Sequence, residues 1–307
     1  MEVCSDGIVL IDKNEGVTSS HVVRQVKRFL VIKKIGHAGT LDPFATGLLI
    51  VLLGQGTKLS SFIMASEKTY LATVRLGIET DTLDSTGRVV RTSPVPEIGS
   101  EDILKTVQTF TGSVEQTPPA FSALRYRGRR AYEWARRGIE VKLGKRHVNI
   151  ESILITDVSL PDITMEVRCS KGTYMRSLAS DLGERLGPGG HLASLRRLSS
   201  GPYKVDEAIK SEEVGRDGNR SDALGKIISL GDALPQMEGT QVDCHMAGKI
   251  RNGYRPHWAE LDWKGLIRRP CDHPIKLISG TELVAIVNGP DDPEKNNDRV
   301  RIMRVFN

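Results

Sequence analysis

The chain has 307 residues, of which 39% are hydrophobic and 26% charged, a composition typical of a folded protein of one or two domains. No apolar run approaches the length of a membrane-spanning helix, and the first residues lack the basic and apolar segments of a secretory signal. The scattered cysteines favour a reducing cytoplasm and argue against a disulfide framework or a zinc knuckle: Cys4, Cys169, Cys244 and Cys271.

In chain order, hydrophobic periodicity first predicts a strand in GIVLIDKNEG, a helix in TSSHVVRQVKRFL and a buried strand in LLIVLL. A helical turn in TKLSSFIM, a strand in KTYLATVRLG and a helix in SEDILKTVQTF are predicted next. The last elements of this region are strands in HVNIESILITDVSL and ITMEVRCS and a helix in TYMRSLASDLGERLGPGG. The first helix is predicted to begin after a cap at Thr18, Ser19 or Ser20, and the helix in SEDILKTVQTF after a cap at Ser100. The segment QTPPAFSALRYRGRRAYEWARRG is predicted to begin extended and to continue as a helix.

Beyond this region the character of the chain changes. Residues 206–237 are polar and predict a surface excursion or linker. After them, GKIRNGYRP, ELVAIVNG and RVRIMRVF predict short strands broken by turns. The sequence therefore predicts an α+β architecture with a main domain over residues 1–237 and a small β-rich domain over residues 238–307.

The positive charge of the chain is concentrated in two short segments, although the formal net charge is only +5. Residues 125–146 contain nine basic residues against two acidic ones, with Tyr126, Tyr132 and Trp134 interleaved. A second group, which has no acidic neighbours, consists of Arg24, Lys27, Arg28, Lys33 and Lys34. A single basic run is most often a solvated helix face. Two runs, one of them with aromatic residues, favour a nucleic acid as the partner.

One loop, GHAGTLDPFATGLLIVLLG over residues 36–54, holds a single carboxylate, Asp42, in a bent and glycine-rich stretch. Paired-acid chemistry needs two carboxylates close together, and this loop offers one. Asp42 is therefore either a turn residue, since Asp-Pro favours turns, or a group whose chemistry needs one carboxylate.

Other motifs indicate no cofactor and no metal. GQGTKL lacks the spacing of a phosphate loop, and GERLGPGG follows a helix at the end that does not attract phosphate. The pairs Cys244–His245 and Cys271–His273 match no common zinc module.

The loop GHAGTLDPFATGLL resembles the catalytic loop of pseudouridine synthases. Four further blocks resemble, in the same order, motifs of the TruB-type bacterial tRNA pseudouridine synthases: KTYLATVRLGIETDTLDSTG, QTPPAFSALRYRGRRAYEWARRG, VRCSKGTYMRSLASDLGERLG and HLASLRRLSSG. The C-terminal stretches are similar, more weakly, to an RNA-binding PUA-type domain. The resemblance implies a catalytic domain with a mixed, largely antiparallel sheet flanked by helices, and a small PUA-like β domain.

Such enzymes break the N1–C1′ bond of a uridine and join C1′ to C5 of the same base without a cofactor. The resemblance makes Asp42 the catalytic residue, as a nucleophile or as a base on the sugar. Arg176 matches the arginine that pairs with this aspartate, and a nearby guanidinium keeps a desolvated carboxylate ionised. Tyr70 matches the tyrosine that stacks on the uracil and can relay the C5 proton. The plainer alternatives are that Asp42 is a turn residue, Arg176 an arginine on a helix surface and Tyr70 a tyrosine of the core.

The resemblance also implies RNA-binding residues. His37 matches the residue that fills the stack left by the flipped base, and glycines on both sides predict an exposed tip. Tyr174 is placed beside the same cleft, and Leu195 forms an apolar wall against the base. An RNA-binding insertion around residues 120–150 is expected to hold phosphates through Arg125, Arg127, Arg129 and Arg130.

The implied function is isomerisation of uridine to pseudouridine at position 55 in the T-loop of tRNA. The expected partner is the tRNA T-arm, with no membrane, no obligate protein partner, a monomeric enzyme and a cytoplasmic location. The alternatives are a non-catalytic tRNA-folding factor, a guide-RNA-dependent relative that works inside a ribonucleoprotein, and a generic basic RNA-binding protein. The presence of Asp42 distinguishes the enzyme from the folding factor, which has no need of it.

Overall fold

A computed structural model of the chain describes residues 6–214, 220–263, 273–288 and 299–307. Its strands are β1 (Gly7–Lys13), β2 (Ile35–His37), β3 (Thr46–Leu53), β4 (Lys68–Leu76), β5 (Ile78–Thr80), β6 (Val89–Thr92), β7 (Gly112–Gln116), β8 (Arg125–Tyr126), β9 (Arg129–Arg130), β10 (Arg146–Ser159), β11 (Asp162–Cys169), β12 (Gly190–Ser200), β13 (Tyr203–Lys204), β14 (Ile209–Lys210), β15 (Gly239–Gln241), β16 (Ile275–Ser279), β17 (Glu282–Asn288) and β18 (Arg301–Val305). Its α-helices are α1 (Ser19–Leu30), α2 (Ser60–Ala65), α3 (Ser100–Gln108), α4 (Ala131–Ala135), α5 (Met175–Leu186), α6 (Arg220–Gly225) and α7 (Cys244–Arg251). Short 3-10 helices span Gly54–Leu59, Val205–Glu207 and Trp258–Glu260.

The larger sheet has the strand order β14-β1-β3-β12-β4-β11-β10-β7, with β2 and β13 paired to β3 and β12. Only the pairs β1–β14 and β3–β12 are parallel among the described strands of this sheet, and the others are antiparallel. Helices α3 and α5 pack on one part of the sheet, and α1 packs on another. The predicted mixed, largely antiparallel sheet flanked by helices is confirmed.

Residues 48–53 of strand β3 are all apolar, as expected for a strand that is buried on both faces. Its residues 49, 51 and 53 pack with α1, whereas residues 48, 50 and 52 pack toward the C-terminal strands. Helix α1 is capped by Thr18, whose side chain accepts a hydrogen bond from the backbone N–H of His21 at 3.1 Å. These two elements flank the loop that carries Asp42.

The C-terminal residues form a four-stranded sheet of order β15-β16-β17-β18, which packs against the larger sheet through a shared apolar core that includes Phe306. The backbone N–H of Asn307 donates to the Gln55 side chain at 2.9 Å, and the Lys58 Nζ donates to the Val305 carbonyl at 2.6 Å. The GQGTKL motif is thus a 3-10 helix that receives the end of the chain. No helix in the described ranges is long and apolar enough to cross a membrane.

Three local predictions are wrong. GKIRNGYRP is not a strand: its first residues end helix α7, which is capped by Asp243 and buries Ala247 and Ile250. The helical part of QTPPAFSALRYRGRRAYEWARRG is confined to α4, because a β8–β9 hairpin precedes it. Helix α3 is capped by Gly99, not by Ser100, which is its first residue. Part of the predicted linker, residues 215–219, lies outside the described residues.

Candidate active site

A cleft of about 930 Å³ opens between the loop that carries Asp42, strands β4 and β12, and the start of α5. Residues 122–124, which precede the β8–β9 hairpin, form a further wall, and Arg304 of β18 reaches the rim. Asp42, Tyr70 and Arg176 all line this cleft, as do Tyr174 and Leu195. The fold therefore brings together residues that lie far apart in the sequence.

The loop that carries Asp42 is fixed on both sides of this residue. Ser19, the first residue of α1, hydrogen-bonds with both the N–H and the carbonyl of Leu41, at 2.9 and 3.0 Å. On the other side, the Lys13 ammonium donates to the carbonyl of Pro43 at 3.1 Å. Asp42 thus stands between two anchored neighbours, which gives the carboxylate a fixed position despite the glycines of the loop.

Asp42 is paired with Arg176. The Nε of Arg176 lies 3.0 Å from Oδ2 of Asp42, and Nη2 donates to Oδ1 at 3.3 Å. The guanidinium is buried, with 5% of the side chain exposed, whereas the Asp42 side chain keeps 35% exposure toward the cleft. One carboxylate oriented by a buried arginine, and still accessible, is the arrangement that a nucleophile or base requires.

A second carboxylate, Asp84, lies behind the arginine and was not predicted as a site residue. Its Oδ2 is 3.4 Å from Nη1 of Arg176, and its side chain is 5% exposed. The hydroxyls of Thr82 and Thr86 donate to its Oδ1 at 2.7 and 2.6 Å. Asp84 lies in the block KTYLATVRLGIETDTLDSTG, but only the fold places it against Arg176.

Backbone carbonyls complete the surroundings of Arg176. Its Nη2 donates to the carbonyl of Phe121 at 2.9 Å, and Nη1 donates to that of Thr82 at 3.2 Å. Arg176 is the second residue of α5, and Tyr174 is the residue that precedes this helix. The guanidinium is therefore held by two carboxylates and two carbonyls, so that its orientation toward Asp42 is specified from several sides.

Burial raises the pKa of the Asp42 carboxyl, because desolvation disfavours the charged form. The Arg176 guanidinium opposes this shift, the Asp84 charge adds to it, and the Lys13 charge opposes it. Burial also lowers the pKa of Lys13 to about 8, a shift that the Asp42 charge opposes. The net result is a carboxyl whose pKa lies above the ordinary aspartate value.

Tyr70, Leu195 and Tyr174 line the same cleft as Asp42. Tyr70 lies on β4 and Leu195 on β12, and Leu195 is only 8% exposed. The Arg146 guanidinium covers the ring of Tyr174 at 4.5 Å from its centre. The cleft thus offers aromatic and apolar surfaces against which a planar ring can pack.

His37 does not form the exposed tip that its neighbouring glycines predicted. It ends strand β2, opposite Val51 of β3, and its side chain is half-buried. Burial and the Arg197 charge lower its pKa, and its Nδ1 is buried without a hydrogen-bond partner. The expectation failed because β2–β3 pairing, which joins residues 35–37 to 51–53, overrides the flexibility of Gly36 and Gly39.

The four arginines expected to hold phosphates lie on the β8–β9 hairpin: Arg125, Arg127, Arg129 and Arg130. Arg127 and Gly128 have positive φ angles, as a two-residue hairpin turn requires. Arg127 and Arg129 are exposed and lie over Tyr126 and Trp134. Among the described residues that line the cleft, none is one of the four. They lie on the hairpin that follows residues 122–124 of the cleft wall.

Three buried cations near the cleft were also missed by the sequence analysis: Lys13, Lys68 and Arg197. Lys68 donates to the Met64 carbonyl at 2.7 Å, and burial lowers its pKa to about 8. In the described parts of the chain, no group of three or more His, Cys, Asp or Glu side chains is arranged to hold a metal. Cys271, of the second Cys–His pair, lies outside them.

Two family models match this chain. The TruB family pseudouridylate synthase N-terminal domain matches residues 27–175, and the tRNA pseudouridylate synthase B C-terminal domain matches residues 176–229. The tRNA pseudouridine synthase B of Syntrophus aciditrophicus is 41% identical, over 98% of this chain and 98% of that protein. That of Geobacter sulfurreducens is 39% identical, over 98% of this chain and 100% of that protein.

Solved structures show the same fold. The crystal structure of a Cbf5-Nop10-Gar1 complex matches with a TM-score of 0.75 and 24% identity, over 99% of this chain and 85% of that chain. The archaeal box H/ACA sRNP Nop10-Cbf5 complex matches with a TM-score of 0.73 and 22% identity, over 99% of this chain and 87% of that chain. Because the curated relatives exceed 30% identity over nearly the whole sequence, this chain belongs to the TruB family of pseudouridylate synthases, a family of isomerases.

Proposed function

We propose that the chain isomerises uridine to pseudouridine at position 55 in the T-loop of tRNA. The observation that carries the proposal is the cleft in which an accessible Asp42, paired with a buried Arg176, lies beside Tyr70. The relatives' name, tRNA pseudouridine synthase B, supports tRNA as the substrate. The proposal includes a monomeric, cytoplasmic enzyme that uses no cofactor.

The reaction exchanges one bond for another within a single nucleotide. The N1–C1′ bond breaks, C1′ joins to C5, the C5 proton leaves and N1 gains a proton, so that the product is an isomer. Asp42 acts as the nucleophile or as a base on the sugar, and Arg176 holds it ionised against the effect of burial. Tyr70 offers its ring face to the uracil and its hydroxyl to the C5 proton. Leu195 forms an apolar wall of the cleft against the uracil.

The base must leave the folded T-loop to reach Asp42, and unstacking costs a few kcal/mol. We assign to His37 the role of filling the vacated stack. A lowered pKa keeps its imidazole neutral near pH 7, and a neutral ring stacks between bases without desolvating a charge. Its position next to the loop that carries Asp42 supports this assignment.

The β8–β9 hairpin and the rest of the basic segment 125–146 bind the phosphates of the T-arm in this proposal. The Arg127 and Arg129 guanidinium groups have no acidic partner among the described residues, and both are exposed. Such contacts position an RNA without reading its sequence. Selection of the T-loop then rests on its shape and its unstacked bases.

The pairing of Asp42 with a buried arginine favours an enzyme over a non-catalytic tRNA-folding factor. A desolvated carboxylate costs stability, and a protein that only remodels RNA has no chemical use for it. The likeness to the Cbf5 structures, at 22 to 24% identity, shows the shared fold and does not favour a guide-RNA-dependent activity.

The test is single-turnover conversion of an unmodified tRNA transcript by wild type and by Asp42→Asn, with pseudouridine mapped by nucleotide and tRNA binding measured in parallel. We expect wild type to modify one T-loop uridine and Asp42→Asn to bind without conversion. Asp162→Asn, which removes a partly exposed carboxylate paired with Arg75, is the matched control and should convert normally. Wild type that binds tRNA but makes no pseudouridine would instead establish the folding factor.

A further inference from the structure

Arg197 of β12 is buried in the floor of the cleft, with 2% exposure. Within the described part of the chain it forms no ion pair, in contrast to its neighbour Arg196, which pairs with Asp12 at 2.7 Å. Lys13 and Lys68 are close enough to be affected by its charge, so it adds to a local excess of positive charge. An unpaired buried charge lowers stability, and the proposed mechanism assigns it no use.

The Arg197 guanidinium supports the loop that carries Asp42 at two points, one on each side of this residue. Its Nη2 donates to the carbonyl of Gly39 at 3.1 Å, and its Nε donates to that of Leu48 at 2.6 Å. These contacts lie three residues before and six residues after Asp42 in the sequence. The loop therefore rests on Arg197 from both of its ends.

Two glycines make this close approach possible. Gly39 has a φ of +99°, and a Cβ there would lie 3.4 Å from Nη1 of Arg197. Gly47 has a φ of +97°, and a Cβ there would lie 2.3 Å from the Arg197 backbone oxygen, closer than atoms can approach. These glycines thus allow the loop to pack on Arg197, in addition to any flexibility toward RNA.

Tyr70 is the third group that meets Arg197. The two residues are direct cross-strand partners in the β4–β12 pair, and both line the cleft. Burial raises the pKa of the Tyr70 hydroxyl, and the positive charge of Arg197 opposes this rise, so the guanidinium acts on the phenol electrostatically. A guanidinium can only donate, so Arg197 cannot take up the phenolic proton, which stays available to the cleft.

We propose that Arg197 is a positioning residue of the isomerisation: one buried guanidinium fixes both the loop that carries Asp42 and the hydroxyl of Tyr70. The inference rests on the proposed function, because Asp42 and Tyr70 have these roles only in that reaction. This role explains why Arg197 has no carboxylate partner among the described residues. A carboxylate here would compete with the Tyr70 oxygen and the loop carbonyls for the same N–H groups.

The experiment uses the full chain and unmodified tRNA, with four proteins compared: wild type, Arg197→Lys, Arg197→Gln and Arg196→Lys. Single-turnover rate, tRNA dissociation constant and thermal melting are measured for each. We expect both Arg197 variants to convert about 10- to 100-fold more slowly, as for loss of a charged hydrogen-bond donor, with dissociation constants within about twofold of wild type. The Arg196→Lys control should keep the wild-type rate.

A Tyr70→Phe background separates positioning from a merely structural role. If Arg197 acts through the Tyr70 hydroxyl, Arg197→Lys should lower the single-turnover rate by a clearly smaller factor in the Tyr70→Phe background than in wild type. An equal cost in both backgrounds, or loss confined to melting temperature with an unchanged rate for the folded enzyme, overturns the inference. So does a wild-type rate in either Arg197 variant. Failure of wild type to make pseudouridine would instead overturn the proposed function.

Discussion

The cations in the floor of the cleft and those of the β8–β9 hairpin have opposite surroundings. Arg176 and Arg197 are buried, and carboxylates or carbonyls accept from their guanidinium groups. Arg127 and Arg129 are exposed and lie over aromatic rings. Desolvated charges interact strongly and fix geometry, whereas exposed charges are screened and bind a substrate from solution. The comparison separates the buried arginines, proposed to hold Asp42 and Tyr70 in place, from the exposed arginines proposed to bind tRNA, which form the binding set.

The largest effect should follow from Arg176→Lys. An ammonium keeps the charge but cannot reproduce the fork that meets Asp42, Asp84 and the Phe121 carbonyl together. We expect the single-turnover rate to fall about 100-fold, the scale seen when one oriented donor is lost, with little change in tRNA binding. A loss of binding without a loss of rate would place Arg176 in the binding set.

The rate should also depend on pH through Asp42. Because burial raises the pKa of this carboxyl, the rate should fall as the pH falls through that raised value, above the range of an exposed aspartate. Asp84→Asn removes a charge that raises this pKa, so the acid limb should move to lower pH. A pH–rate profile of both proteins measures the shift. A shift to higher pH would contradict the assigned electrostatics.

A smaller effect, on binding alone, is expected from the hairpin. Arg129→Ala should weaken tRNA binding several-fold and reduce the slope of log Kd against log salt by about 0.7–0.9, the amount for one phosphate contact. The rate at saturating enzyme should not change. Lys105→Ala, on the exposed face of α3, is the control and should leave the slope unchanged. An unchanged slope for Arg129→Ala would remove this residue from the binding set.

The smallest effect concerns stability. A carboxyl whose pKa is raised by folding destabilises the native state when ionised, so the cost is present at neutral pH and disappears as the pH falls below the unfolded-state value. Asp42→Asn should therefore melt at a higher temperature than wild type near pH 7, and the difference should shrink toward pH 4. Melting curves of wild type and Asp42→Asn between pH 7 and pH 4 test this prediction. A variant less stable at neutral pH would mean that the Arg176 pair outweighs desolvation.

Much of the fold was predictable because its cause is local. The periodic apolar residues of α1, with a cap at Thr18, Ser19 or Ser20, predicted that helix, and the structure selects Thr18. The continuous apolar run of β3 predicted a buried strand. Helix α7 was missed although its signals were present, with Asp243 as cap and Ala247 and Ile250 at helical spacing. The sequence analysis instead predicts a strand in GKIRNGYRP, because this short segment is bounded by turns.

The sequence by itself determined the family, the position of Asp42 and the residues matched to it, because each lies in a contiguous motif. Tertiary structure decided what surrounds them. Asp84 meets Arg176 across a loop and a helix, and Arg197 meets Gly39, which lies 158 residues away. It also decided that His37 ends a strand. These outcomes depend on strand pairing and on burial, which set the distance, the solvent exposure and the charge of every neighbour, and no local pattern carries that information.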